Sequence, residues 1–119
     1  MTYELDELQR QYRETGGFTV CMRTGVQPES GFAVALPDRE RRVPEYLFRC
    51  TFDAQIAAYC RHNMHALLSG AFLGCWRNGS EVCLDLVDIC ACESDARHVG
   101  ELRGQLAIYD LTNQKEIIL

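Results

Sequence analysis

The chain begins with apolar residues spaced at the helical interval. Leu5, Leu8 and Tyr12 recur every three to four residues, which predicts an amphipathic helix over residues 3 to 14 with Thr2 as its N-cap. Two consecutive glycines follow and are expected to end the helix, because glycine readily adopts the left-handed conformation at a helix C-terminus.

Two apolar runs, residues 18 to 22 and 32 to 36, have the composition of strands. The first run alternates large apolar residues with smaller ones, and turn-forming glycine and proline residues separate it from the second. The pattern predicts a β-hairpin with a loop of eight or nine residues. Because the second run is apolar on both faces, we expect it to be a central or helix-covered strand.

The middle of the chain is charged before it becomes helical. Residues 37 to 44 predict a charged loop, and the alternation in residues 45 to 50 indicates a short strand. Thr51 and Gln55 then occupy capping-box positions, which predicts a helix beginning at Phe52. Its apolar face comprises Phe52, Ile56, Tyr59 and Cys60, and a short helix from Met64 to Leu68 is predicted to follow.

The second half of the chain combines hairpin and helix patterns. Residues 71 to 76 and 81 to 87 are apolar runs joined through Asn78 and Gly79, a pair that supplies the positive φ angles of tight turns. A helix capped by Ser94 or Asp95 follows, with an apolar stripe of Ala96, Val99 and Leu102 and an end at Gly104. Two final strands are predicted at residues 106 to 111 and 116 to 119.

The order of these elements indicates the fold class. Strands come as adjacent pairs and helices lie between the pairs, which is typical of an α+β protein. We therefore predict one domain over residues 1 to 119 with one core, in which about three helices pack on a mainly antiparallel sheet of five or six strands.

Composition and charge narrow the classes of function. The chain of 119 residues is 47% hydrophobic, but no apolar run approaches the roughly 18 residues of a membrane span, and the start lacks the apolar region of a signal peptide. We expect a cytoplasmic protein without a membrane partner. The net charge is −5, and basic residues cluster only at Arg39, Arg41 and Arg42, so direct binding of nucleic acid is not expected.

Seven cysteines in so short a chain raise the question of metal binding or catalysis. Their odd number, without a secretory signal, favours reduced thiols that pack in the core. The spacings C-x-C and C-x-H-x-x-H do not match zinc-ligand pairs, so no metal and no cofactor are predicted. A zinc protein or small enzyme remains the alternative, and its residues would be Cys60, His62, His65, Cys90 and Cys92.

Motifs for catalysis are otherwise missing from the sequence. It contains no G-x-S-x-G, no phosphate-binding glycine loop and no cysteine followed by an oxyanion-type glycine run. Asp85 and Asp88 stand three apart on a predicted strand, hence on opposite faces, so we interpret them as solvated charges and not as a metal site. We predict that the protein is not an enzyme.

The motifs FTVCMRTG…P..GFAVAL and FLGCW..G.EVCLDLVDI…ARHVGELRGQLAIYDL….EI carry a family resemblance. They cover residues 17 to 36 and 70 to 118 and resemble small proteins encoded in bacteriophages, prophages and integrative elements. The chain has Cys75 and Cys83 where relatives carry small or aromatic residues. Such proteins often block a host defence protein, so the resemblance implies an anti-CRISPR-like inhibitor, or alternatively an accessory structural protein of a phage.

Binding therefore stands as the expected activity, with a host protein or ribonucleoprotein complex as partner and occlusion of its binding surface as mechanism. Tryptophan, tyrosine and arginine are enriched at interface hot spots, although each candidate also fits a packing or solubility role. The terminal strand, residues 116 to 119, has edge groups that favour pairing with a partner strand or a second copy. The candidate partner-binding residues are Arg39, Arg41, Arg42, Trp76, Arg77, Asn78 and Tyr109.

Overall fold

The computed structural model describes residues 5 to 119, and this part of the chain forms five helices and one seven-stranded antiparallel sheet. The helices are α1 Leu5–Thr15, α2 Glu45–Cys50, α3 Phe52–His62, α4 Met64–Leu68 and α5 Glu93–Leu102. The strands are β1 Gly17–Val20, β2 Phe32–Ala35, β3 Arg41–Pro44, β4 Phe72–Asn78, β5 Glu81–Cys90, β6 Ala107–Asp110 and β7 Lys115–Ile118. The α+β class is confirmed, with more helices and strands than predicted.

Strand β5 is the centre of the sheet. It pairs with β4 along one side, and the sheet order is β1-β4-β5-β2-β6-β7. Its other side is shared: β3 pairs with the segment from Glu81 to Leu84, and β2 pairs with the segment from Val87 to Cys90. Between β3 and β2 the pairing with β5 is interrupted opposite Asp85 and Leu86, and this interruption is called the fork here. In the middle of β5 the side chains on both faces of the strand are buried, as expected for a central strand.

A large hydrophobic cluster joins one face of β1, β4 and β5 to the first four helices. Its centre is aromatic, because the rings of Tyr12, Phe48 and Phe52 stack edge to face or tilted with centroids 5.1 to 6.3 Å apart. Phe18 on β1 contacts Phe52 from the sheet side. The strand residues beneath the helices are Val20, Val43, Leu73, Cys75, Val82, Leu84 and Leu86.

A second, smaller cluster lies under α5. Val34, Ala96 and Ile108 are fully buried there, with half-buried residues of β2, β5, α5 and β7, and Leu119, around them. The helix approaches closely at Gly100, where a Cβ atom would lie 2.7 Å from Leu119 Cδ1 and 3.2 Å from Ile108 Cγ2. The prediction of a single core is corrected to two clusters, since α5 packs on a different part of the sheet from the other helices.

The predicted hairpin of residues 18 to 22 with 32 to 36 is wrong. Strand β1 pairs with β4, whereas β2 pairs with β5 and β6. The β4–β5 hairpin, joined by the two-residue turn Gly79-Ser80, lies between them. Apolar alternation determines which side of a strand is buried, but it does not identify the neighbouring strand. The central position predicted for residues 32 to 36 is confirmed.

Residues 41 to 50 also differ from the prediction. Residues 41 to 44 form β3 because Val43 is buried beside Val82, so only residues 37 to 40 remain a loop. Residues 45 to 50, expected as a strand, form α2 after Pro44, whose fixed φ is compatible with a helix start. Only Phe48 of this segment is fully buried, which is one side of a helical turn and not an alternating strand face.

The predicted helix caps are replaced by other contacts. Thr51 makes no capping hydrogen bond to the backbone of α3, because its hydroxyl donates to Leu47 O and accepts from Gln55 Nε2. Helix α5 begins two to three residues earlier than predicted, with Cys92 and not Ser94 or Asp95 at its N-cap. Leu102, predicted in its apolar stripe, is 74% exposed, and Gly100 is buried instead.

The other predicted elements are confirmed. Helix α1 ends at Thr15 before Gly16, which has a positive φ of 87°, while the predicted start and the N-cap Thr2 lie outside the described residues. The buried face of α3, the short α4, the β4–β5 hairpin and the terminal hairpin all occur. In the β4–β5 turn only Gly79 has a positive φ, so Asn78 ends β4 instead of entering the turn.

Candidate interaction surface

The two sides of the sheet differ in what packs on them. Strand residues alternate between the sides, and both hydrophobic clusters that contain helix residues use the side of Val82, Leu84 and Leu86. The opposite side is called the outer face here. By register it carries Phe72, Gly74, Trp76, Cys83, Asp85, Val87, Ala33, Ala35, Ile89 and Tyr109, of which Gly74, Cys83, Asp85, Val87 and Ala33 are buried. Within residues 5 to 119 none of these residues belongs to either cluster, although Tyr59 of the large cluster lies near Asp85 at the fork.

Trp76 lies on the outer face and not in either cluster. Its strand position is between Gly17 of β1 and Cys83 of β5. A Cβ atom at Gly74 would lie 3.7 Å from both Trp76 Cζ3 and Val87 Cγ1, so the indole extends along β4 above the glycine and beside the valine. The ring is supported on one side and 39% of the residue is exposed. Gly74, two residues before Trp76, has no side chain and therefore leaves room for the indole to lie along the strand.

Tyr109 lies on the same face at the other end of the sheet. It pairs with Ala33, which in turn pairs with Ile89 of β5, and it is 41% exposed. Trp76 pairs with Cys83, six residues earlier on β5, so the two aromatic residues are on the order of 20 Å apart along the strand. The structure therefore places both predicted aromatic residues on one face, separated by small and apolar residues and by the buried Asp85.

The three predicted arginine residues lie on β3 and on the loop before it, and their side chains point in different directions. Arg42 points to the outer face beside Cys83 and forms ion pairs with Glu40 and with Glu81, the latter at 3.7 Å. Arg41 is exposed and alternates to the other side of the strand. Arg39 Nη1 donates to Asn63 Oδ1 at 2.9 Å. The three guanidinium groups do not form one basic patch.

Arg77 and Asn78 both follow Trp76 in the sequence, but only Asn78 lies on the same face of the sheet as Trp76. The Arg77 guanidinium lies 5.9 Å above the Tyr12 ring, on the side of the first helix. The Tyr12 hydroxyl donates to Glu45 Oε2 at 2.8 Å, and burial together with that carboxylate raises the pKa of Tyr12. Asn78 is exposed and alternates to the outer face with Trp76. Of the seven candidates, Arg42, Trp76, Asn78 and Tyr109 share the outer face.

Asp85 is a buried carboxylate in the middle of the central strand. It is only 4% exposed, whereas it was expected to be solvated. Its Oδ1 accepts a hydrogen bond of 2.8 Å from the Leu86 N–H at the fork, where β3 has ended and β2 has not begun. Burial raises the pKa of Asp85 to about 6, against the lowering effect of the Leu86 N–H. The carboxylate thus satisfies a backbone donor that neither neighbouring strand reaches.

The loop beside this fork is tied to helix α3. The Tyr59 hydroxyl donates to Arg39 O at 2.6 Å, and Asn63 Nδ2 donates to Tyr59 O at 2.8 Å. Burial raises the pKa of Tyr59, and the nearby charge of Asp85 adds to that effect. Glu40 in the loop raises the pKa of Asp85 in turn. These contacts hold the loop between β2 and β3 in place and give the fork a structural function. Asp88, by contrast, lies on the opposite side and accepts from Arg103 Nη2 at 2.7 Å.

The residues of the alternative zinc or enzyme site are dispersed. Cys60 is buried in the large cluster, and burial raises the pKa of its thiol to about 11. Cys90 packs against the small cluster, and Cys92 is exposed at the start of α5. His62 and His65 are exposed on separate helices. Across residues 5 to 119, no three or more His, Cys, Asp and Glu side chains are grouped so that they could hold a metal ion.

Cys21 differs from the other buried cysteines in its surroundings. Burial opposes ionisation of its thiol, but hydrogen bonds from Thr24 and Arg23 together lower its pKa. The turn that brings these donors to the sulfur is closed by Gly25 N donating to Cys21 O at 2.7 Å. A sequence signal for this turn exists in the Arg-Thr-Gly segment, but the spacing does not show that the thiol accepts the hydrogen bonds.

Helices of the described chain, residues 5 to 119, are all too short or too polar to cross a membrane. Comparison of the chain with protein-family models, with curated proteins and with solved structures finds no match.

Proposed function

We propose that this protein acts by binding another protein through the outer face of its sheet. The observation that carries the proposal is the placement of Trp76 and Tyr109, both about two-fifths exposed, on the sheet side to which neither helix-packed cluster contributes. Large aromatic side chains that are already held by their own chain contribute most to interfaces, since little conformational entropy is lost when they are covered. Gly74 and Val87 provide that support for the indole.

The surface between the two aromatic residues suits a protein partner better than a small ligand. Ala33, Ala35 and Gly74 place small residues across the middle of the outer face, and since Ala33 and Gly74 are buried, a partner would contact Trp76 and Tyr109 first. Arg42 and Asn78 add polar groups near Trp76. An apolar centre with polar groups at its margin is the usual arrangement of a protein interface.

The finer proposal concerns the partner, and it rests on the resemblance to proteins of mobile genetic elements. We propose that the partner is a host defence protein or ribonucleoprotein complex and that binding occludes its working surface, as an anti-CRISPR protein does. The net charge of −5 supports this choice, because it favours approach to the basic grooves in which such complexes hold nucleic acid. Inhibition by occlusion needs no catalytic residue.

The test is to express the chain in a bacterial host that carries an active defence system and to count phage plaques. The parent chain is expected to restore plating, and Trp76→Ala is expected to abolish the effect. Tyr46→Ala is the matched control, because Tyr46 is an exposed aromatic residue on α2, away from the outer face. Both variants are checked for cooperative thermal unfolding.

Two outcomes would reject parts of the proposal. If the parent chain leaves plating unchanged and affinity purification from that host recovers no defence component, the inhibitor proposal is wrong. If inhibition occurs but Trp76→Ala and Tyr109→Ala act like the parent chain, the outer face is the wrong surface. A second variant, Gly74→Arg, would then confirm that filling the face has no effect.

A further inference from the structure

The outer edge of β7 presents a defined row of backbone groups. Within residues 5 to 119, this strand pairs only with β6, in the register Ala107 with Ile118 and Ile108 with Ile117. Leu119 N donates to Leu106 O at 3.0 Å, which identifies one hydrogen-bonded pair. Because such pairs alternate along antiparallel strands, Ile117 also turns its N–H and C=O toward β6, whereas the N–H and C=O groups of Glu116 and Ile118 point outward.

We propose that this edge pairs with the same edge of a second copy of the chain, antiparallel and centred on Ile117. In that register Glu116 of each copy lies opposite Ile118 of the other, and the four outward N–H groups and carbonyls of these residues form four hydrogen bonds across the two-fold axis. An edge whose backbone N–H and C=O groups point outward at two residues and inward at the residue between them can therefore pair with an identical edge. The sheet then continues from one copy into the other.

Charge disfavours the neighbouring register that is centred on Glu116. A shift by one residue on each strand would set Glu116 of one copy directly opposite Glu116 of the other. Like charges directly across a strand pair are destabilising. In the register centred on Ile117, the opposing side chains are Ile117 with Ile117, Glu116 with Ile118, and Lys115 with Leu119. The aliphatic part of Glu116 then covers Ile118, which is 68% exposed in the single chain. No charged pair of equal sign lies directly across the axis.

The geometry also specifies how the two copies are oriented. A two-fold axis perpendicular to the sheet leaves the same face of both copies on the same side, so the two outer faces would point in one direction. The interface is small, since each copy contributes one short strand, and the dimer is therefore expected to be weak and concentration-dependent. The pairing does not depend on the proposed function and is tested without any partner protein.

Cysteine cross-linking tests the register. In a background with the exposed Cys50 and Cys92 replaced by Ser, Ile117→Cys places two thiols in a non-hydrogen-bonded pair with Cα atoms about 4.5 Å apart, within the range for a disulfide. Mild oxidation is expected to give a covalent dimer. Glu116→Cys is the matched control, because its partner would be Ile118 and not a second cysteine, so it is expected to give little dimer.

Sedimentation equilibrium tests the hydrogen bonds themselves. Over a range from about 5 to about 500 µM, the parent chain is expected to shift from monomer to dimer, as a weak edge contact should. Ile118→Pro removes an outward N–H and leaves the inner bonds of β7 intact, so it should abolish the dimer, whereas Ile118→Thr should retain it. A monomer at every concentration without Ile117→Cys cross-linking would overturn the proposal, as would a dimer that persists in Ile118→Pro. If Ile118→Pro unfolds, the cross-linking pair decides alone.

Discussion

The two hydrophobic clusters show two ways of covering one sheet. The large cluster joins four helices to β1, β4 and β5 around interlocking aromatic rings. The small cluster has three fully buried residues and depends on the close approach of α5 at Gly100. The difference teaches that burial is concentrated in one half of the molecule. The half that carries β7 is the more weakly packed, so local opening is expected to begin there.

Removing an aromatic ring from the large cluster is expected to have the greatest effect. Phe48→Ala deletes a fully buried ring that contacts both Tyr12 and Phe52, and it should lower the free energy of unfolding by about 3–5 kcal/mol. Urea denaturation followed by circular dichroism measures the change. Tyr46→Ala on the same helix, where the side chain is exposed, should change stability by only about 0.5 kcal/mol or less. A similar loss in both variants would contradict the assignment of the aromatic centre.

Filling the close approach in the small cluster should have the next largest effect. Gly100→Val introduces atoms where even a Cβ would contact Leu119 and Ile108, and it should lower the free energy of unfolding by about 1–3 kcal/mol. The control is Glu101→Val, which places the same β-branched residue at an exposed position of the same helix. Because valine is a better helix former than glycine, a loss of stability in Gly100→Val comes from crowding and not from helix propensity. Equal losses in the two variants would show that α5 does not pack closely at this glycine.

Asp85 provides a test that depends on pH. Its pKa is raised from 3.8 to about 6 in the folded chain, so the folded state binds the proton more tightly than the unfolded state. The buried charge therefore destabilises the protein above pH 6, and the penalty is lost as the pH falls toward 4. Asp85→Asn keeps an acceptor for the Leu86 N–H without the charge, and it should raise the free energy of unfolding by about 1–3 kcal/mol at pH 7.5.

The matched variant Asp85→Ala separates the charge from the hydrogen bond. It removes the acceptor as well, so the Leu86 N–H is left unsatisfied, and it should be less stable than Asp85→Asn by about 1–3 kcal/mol. Thermal melts from pH 4 to pH 8 measure both. An unchanged pH dependence in Asp85→Asn relative to the parent chain would refute the assignment of this carboxyl as the titrating group.

The smallest expected effect concerns a helix surface in the weaker half. Arg97 Nε donates to Glu93 Oε2 at 2.8 Å one turn away on α5, and both side chains are largely solvated. Arg97→Gln should therefore lower the free energy of unfolding by only about 0.5 kcal/mol or less. Repeating the urea titration in high salt should remove most of that difference. A loss above about 1 kcal/mol would mean that α5 depends on this pair more than on its packing.

Much of the candidate surface could be anticipated from residue types, but its geometry could not. Trp76 and Tyr109 were named as candidates, and the strand alternation around each is visible in the sequence. Their common face follows from the pairing of β4, β5, β2 and β6, which no local pattern states. Arg77 was grouped with Trp76 because they are adjacent, yet neighbouring strand residues point to opposite sides. The burial of Asp85 is not visible in the sequence, because it arises at the fork between β2 and β3, two strands that are far from Asp85 along the chain.

The sequence by itself determined the elements with strong local signals. The period of Leu5, Leu8 and Tyr12, the apolar face of α3 and the glycine turn of the β4–β5 hairpin each follow from interactions within a few residues. Tertiary structure decided which strands pair and which segments become helix or strand when the local preference is weak. Residues 45 to 50 are helical because Phe48 fills the aromatic cluster, and β1 lies beside β4 and not β2. Long-range pairing is decided by the total burial of the sheet, a quantity that no short window of sequence contains.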